Sequence, residues 1–150
     1  MAGADAEALA MLVAELQTEL NRADRATATE LDVGGSEDLQ LLRLLLSDGP
    51  MRVSDLARRR LISIATTSAR LDRLEKRGLI VRERIPADRR AVVARLTDRG
   101  EQAAVESRSA RLAALAPIAT GFPTAHLRRL IDVLCPTERP PSPEHGWIEA

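Results

Sequence analysis

Residues 53–100 read VSDLARRR LISIATTSAR LDRLEKRGLI VRERIPADRR AVVARLTDRG, and the order of patterns in this stretch decides the fold. Residues 53–60 set Leu56 and Ala57 inward and predict a short helix. Leu61, Ile62 and Ser63 form a brief connection, with Ser63 placed to cap a second helix over residues 64–77. Leu71 and Leu74 point to one side of it; Thr66, Arg70 and Arg73 lie on the other, with Ala69 between them. Gly78, following Lys76 and Arg77, ends the helix by supplying a left-handed residue. Residues 79–85 and 91–96 alternate and are β-branched, which predicts a hairpin with a cationic tip, Pro86-Ala87-Asp88-Arg89-Arg90. Helix, turn, helix and basic hairpin in this order predict a winged helix-turn-helix.

Outward from this centre the pattern is helical. Residues 4–27 carry Leu9, Leu12, Val13, Leu16 and Leu20 as one apolar stripe, which needs a partner. Residues 32–35 break it. Ser36, followed by Glu37 and Asp38, predicts an N-cap and an acidic first turn. The helix behind it, running to about Ser47, is apolar on nearly every side through Leu39, Leu41, Leu42, Leu44, Leu45 and Leu46, and is expected at the centre. Asp48, Gly49 and Pro50 form a turn. Thr97 is placed to cap a helix over residues 98–116, interrupted at Pro117. A last helix over residues 124–134 carries Leu127, Leu130, Ile131 and Leu134, and a Pro-rich tail follows Cys135. The expected fold class is mostly α (α+β), a single domain over residues 1–150.

Charge is divided unequally. Residues 52–99 hold 14 Arg and Lys against 6 Asp and Glu, a balance of +8, while the rest holds 8 against 16, a balance of −8. Zero net charge therefore conceals a basic middle, which attracts a phosphate backbone whatever its sequence. Phe122 and Trp147 are the only aromatic residues, so recognition of single strands by base stacking is disfavoured. The first residues lack the basic start and apolar block of a secretory signal, and no apolar run approaches the roughly 18 residues of a membrane span, so a soluble, cytoplasmic protein without membrane contact is expected. His126, Cys135 and His145 are too loosely spaced for a metal site, and Cys135 reads as a small buried hydrophobe. Neither a catalytic constellation nor a glycine-rich phosphate loop is present, so no enzyme and no cofactor are expected.

Ser54-Asp55-Leu56-Ala57, then residues 70–80 (RLDRLEKRGLI), Asp88-Arg89-Arg90 and Leu96-Thr97-Asp98-Arg99-Gly100 together resemble the MarR family of bacterial transcriptional regulators in order and spacing. The resemblance implies a homodimer whose terminal helices, residues 4–27 and 101–135, interlock, leaving residues 36–100 to bind double-stranded DNA and residues 136–150 as a tail. It implies a palindromic operator and, for many members, a small-molecule effector that releases DNA. By position, Ser63, Thr66, Ser68 and Arg70 fall where the family's recognition helix meets DNA, and Arg90 falls at the wing position that enters the minor groove. Asp88 matches the acid that steadies the wing arginine, and Arg82 a basic residue on the first wing strand. Ile85 and Arg84 depart from the acidic residue and the proline usual in the wing.

In chemical terms an arginine fork reaches guanine O6 and N7 together, which makes Arg70 the first choice for a base contact, with Arg73 beside it. Its bland alternative is a pair with Asp72 or Glu75. Thr66 and Ser68 suit phosphate or water better than a base, and Thr67 reads as a packing residue. Arg89 and Arg90 suit a narrow, negative minor groove, or are simply soluble turn residues. One of Arg58, Arg59 and Arg60 is a candidate phosphate ligand. An effector pocket is expected between the first, second and fifth helices and the winged region, lined by Leu and Ala. The expected function is a DNA-binding regulator acting as a repressor. The competing readings are a winged-helix module for an acidic protein partner and a ligand carrier that does not read DNA.

Overall fold

The computed structural model describes residues 2–85 and 88–120. The expected helix over residues 124–134, the tail, His126, Cys135 and His145 lie outside the described residues, as do the side chains of Asp88, Arg89 and Arg90. The chain divides into two compact units, residues 1–115 and residues 116–150. The first holds α1 (Ala2–Glu30), α2 (Ser36–Asp48), β1 (Met51–Arg52), α3 (Val53–Arg60), α4 (Ile64–Lys76), β2 (Ile80–Ile85) and β3 (Asp88–Leu96). In the second, only the end of α5 (Asp98–Ala119) and Thr120 are described.

Helix α2 is central, as its composition predicts. Leu39, Leu41 and Leu42 are fully buried, and Leu44 and Leu46 pack half-buried against the same core. Leu56 from α3, Leu71 and Leu74 from α4, and Leu79, Ile80 and Ala94 from the hairpin complete that core. Each fully buried leucine contributes about 1.5–3 kcal/mol through removal of its apolar surface from water. The helix-turn-helix is therefore built as a cover over α2.

Three local expectations are corrected, and one element was not anticipated. Ser36 does not cap α2: it is the first helical residue, and the cap is Gly35, whose carbonyl accepts from the N–H groups of Asp38 and Leu39 at 3.1 Å each. A glycine can take this place because the backbone carbonyl suffices while Glu37 and Asp38 still face the helix's positive end. Pro117 does not interrupt α5, which continues to Ala119. The proline removes one N–H within the last turn, where little helix remains to be disturbed. The second hairpin strand starts at Asp88 rather than Ala91, with Ile85 paired to Asp88 after a shift in register beyond Arg84. Last, β1 has no counterpart in the sequence reading, because two residues are too short to show a period.

The sheet order is β1-β3-β2, antiparallel throughout. Met51 and Arg82 flank Ala94 on either side, so β3 joins the start of the helix-turn-helix to the hairpin. Thr97 locks the far end of the hairpin. Its N–H donates to Leu79 O at 3.1 Å, its hydroxyl donates to Gly78 O at 2.7 Å, and its Oγ1 accepts from the Gly100 N–H at 3.1 Å, which is the expected cap of α5.

Candidate nucleic-acid interface

The N-terminus of α4 is organised by Ser63. Its Oγ accepts from the Thr66 N–H at 3.0 Å and lies 2.8 Å from Thr66 Oγ1, and its carbonyl accepts the Thr67 hydroxyl at 3.0 Å. Thr67 is fully buried, as a packing residue should be. Before Ser63, α3 closes with Leu61 in the left-handed conformation, φ 54° and ψ 38°. The Leu61 N–H donates to Arg58 O at 3.2 Å and the Ile62 N–H to Ala57 O at 3.1 Å, the two bonds of a Schellman closure. The outward residues here are Leu61, Ile64, Ala65, Thr66 and Ala69, all exposed, with Ser68 half-buried.

The arginines of α4 are disposed differently from this face. Arg70 is 16% exposed and turned toward α2, where it pairs with Glu37 and lies 3.7 Å from Asp38. Arg73 donates through Nε and Nη2 to the two oxygens of Asp38 at 3.3 and 3.1 Å. Asp38 itself is buried, so α4 is held to the first turn of α2 by a buried carboxylate that both arginines approach and by the exposed Glu37 beside it. Asp72 and Glu75, the alternative partners suggested for Arg70, receive Arg82 instead. Arg82 donates from Nη2 to Asp72 at 2.7 Å and to Glu75 at 2.6 Å, while its backbone N–H donates to Glu75 Oε1 at 3.2 Å. The Glu75 hydrogen bond above all holds the Arg82 guanidinium above its ordinary pKa, against the opposing effect of burial. Arg82 thus pins the hairpin to α4.

Of the remaining expected site residues, Asp88, Arg89 and Arg90 contribute their backbone to the start of β3. In the basic run, Arg58 pairs with Asp55 at 3.5 Å, Arg59 with Asp48 at 2.7 Å, and Arg60 donates to Gln40. Arg58 remains 79% exposed on its side chain.

A second site was not anticipated. Asp24 of α1 is 1% exposed and receives Arg43 of α2 in a bidentate pair at 2.8 and 3.0 Å, together with Arg111 of α5 at 2.7 Å. Arg43 also donates to Ser107. The signal was present in the sequence: the stripe through Leu16 and Leu20 reaches position 24 at its next step of four and finds an acid there. Arg43 and Arg111 also line a cleft of about 580 Å³ between α1, α2 and α5, with Arg59, Arg60 and Arg108. The cleft lies where an effector pocket was expected, but its walls are arginines beside Leu20, Leu44 and Leu46 rather than Leu and Ala alone. Among the described residues no group of three His, Cys, Asp or Glu could hold a metal ion, and no helix is long and apolar enough to cross a membrane.

Comparison with known proteins points the same way. Residues 36–92 match the family model described as MarR family. The uncharacterized HTH-type transcriptional regulator YkoM of Bacillus subtilis (strain 168) is 35% identical over 65 residues, 43% of this chain and 42% of that protein. The uncharacterized HTH-type transcriptional regulator YdgJ of the same organism is 32% identical over 96 residues, 64% of this chain and 58% of that one. The match therefore spans roughly half the length of these curated relatives. Among solved structures, the apo form of wild-type MarR from E. coli superposes with a TM-score of 0.70 at 18% identity, covering 85% of this chain and 96% of that chain, a likeness of fold.

Proposed function

We propose, from the match of residues 36–92 to the MarR family model, that the protein is a double-stranded-DNA-binding transcriptional regulator, a homodimer that represses by covering a palindromic operator. The observation that carries this reading is the Ser63-capped start of α4, whose outward residues are exposed beside a hairpin that Arg82 fastens to the same helix. In a helix-turn-helix, the N-terminal residues of the second helix are the ones that meet base edges in the major groove. Ser63, Thr66 and Ser68 serve phosphate and base contacts, and Arg89 and Arg90 enter the minor groove. Arg70 and Arg73 hold α4 on α2 in the free protein, and a role on DNA requires them to leave Asp38. Asp88 orients Arg90, and Arg82 fixes the hairpin from which both project.

The arginine-lined cleft supports regulation by a small anion, since its volume suits one ligand and its cationic wall attracts carboxylate or phosphate, with Arg43, Arg59, Arg60 and Arg111 sharing their guanidiniums between that ligand and Asp24, Asp48 and Gln40. The test of the whole reading is selection of bound fragments from random duplex DNA, followed by titration of the winning palindrome against an unrelated duplex at fixed salt. Preference for the palindrome, with two chains bound per site, is the expected result; equal affinity for both duplexes refutes sequence-specific regulation.

A further inference from the structure

We propose that Leu61 and Ile64 read the C5-methyl groups of thymine in the operator, so that this protein's sequence preference rests on apolar contacts rather than on arginine forks. The inference deepens the DNA-binding reading above and rests on it. Three helices here end with a left-handed residue: Asp32 after α1 at φ 49°, Leu61 after α3 at φ 54°, and Gly78 after α4 at φ 69°. Each end is closed by the same kind of bond, from the Val33 N–H to Ala28 O, the Ile62 N–H to Ala57 O and the Leu79 N–H to Leu74 O. Glycine adopts this conformation without strain, and aspartate tolerates it through local hydrogen bonding. Leucine does neither. Position 61 therefore carries a side chain that strains its own backbone.

That side chain is also 92% exposed, so the free protein gains no burial from it. Ile64, the first residue of α4, is 58% exposed. An apolar pair at this place, one of its members strained, calls for an occupant. The surroundings identify it: Arg58 lies at the end of α3, Ser63 between the two residues, and the positive end of α4 points outward, all suited to phosphate. Within a DNA major groove, the apolar group presented by a base is the thymine methyl. The rest of the outward face agrees, because Ala65, Thr66 and Ala69 offer methyl groups and one hydroxyl already engaged with Ser63. Arg70 and Arg73, which could have read guanine, are directed to Asp38.

The experiment replaces thymine by deoxyuridine, one position at a time, in the operator selected from random DNA, and so removes a methyl group and nothing else. For the full-length protein an affinity loss of about fourfold at one or more positions is expected, the value of one buried carbon. Leu61→Gly relieves the backbone and Ile64→Ala preserves the helix, so both variants fold; each should lose the discrimination at its own position while keeping its affinity for random duplex. Equal affinity of the unmodified protein for thymine and deoxyuridine operators overturns the proposal and leaves DNA binding intact. Failure to bind any duplex removes both readings. A changed sedimentation mass of the free Leu61→Gly protein would make a second copy of the chain the occupant, and would likewise overturn the assignment to thymine.

Discussion

At the scale of single residues, the positions most sensitive to change are those where geometry leaves one solution. A Cβ at Gly100 would overlap the Leu79 carbonyl oxygen, where the start of α5 crosses the base of the hairpin, and backbone on both sides cannot retreat cheaply. Gly100→Ala should therefore cost about 3 kcal/mol, at the upper end of ordinary overpacking, measured by urea unfolding. Asp24 is the corresponding case for charge. Asp24→Ala leaves Arg43, a largely buried guanidinium, without its anion, and should destabilise by about 3 kcal/mol. Because Arg111 is about a third exposed and can turn to water, its own truncation should cost clearly less than the loss of Asp24 in the same assay.

At the scale of elements, α4 is held from two sides by acids of opposite origin. Asp38 of α2 receives its arginines, and its own Asp72 and Glu75 receive the arginine of β2. Asp38→Asn should loosen α4 from α2, lowering stability by about 2 kcal/mol while raising affinity for random duplex, since Arg73 loses its carboxylate partner and Arg70 keeps Glu37 alone. Unchanged duplex affinity alongside reduced stability would mean that both arginines are structural alone. Arg82→Met should leave the core intact and speed hydrogen exchange in β2 and β3 relative to α2; uniform exchange across all three would contradict the pinning role. The elements themselves were mostly legible in the sequence. Ser63, Gly78 and Thr97 announced their caps because capping is local chemistry, and the leucines of α2 announced burial because composition alone decides it. What was not legible depends on distant partners: which acid takes Arg70, that Arg82 rather than Arg70 meets Glu75, and that residues 51–52 pair with β3. Charge patterns along one helix cannot reveal a carboxylate contributed by another.

At the scale of the whole molecule, the division between a basic centre and acidic flanks makes a quantitative claim about the proposed interface. The logarithm of affinity for duplex DNA should fall linearly with the logarithm of salt concentration, and Arg89→Ala and Arg90→Ala should each reduce the slope by about 1 if they contact phosphate. Arg90→Ala should also weaken operator binding by about 1–3 kcal/mol, measured by fluorescence titration at fixed salt. The middle strand of the sheet adds a mechanical corollary. β3 is bonded to the arm of the hairpin on one edge and, on the other, to the two residues that lead directly into α3. Hairpin and helix pair are geared together, so in the proposed complex a groove that tilts one should tilt the other, and a duplex of unsuitable width should be rejected by both at once.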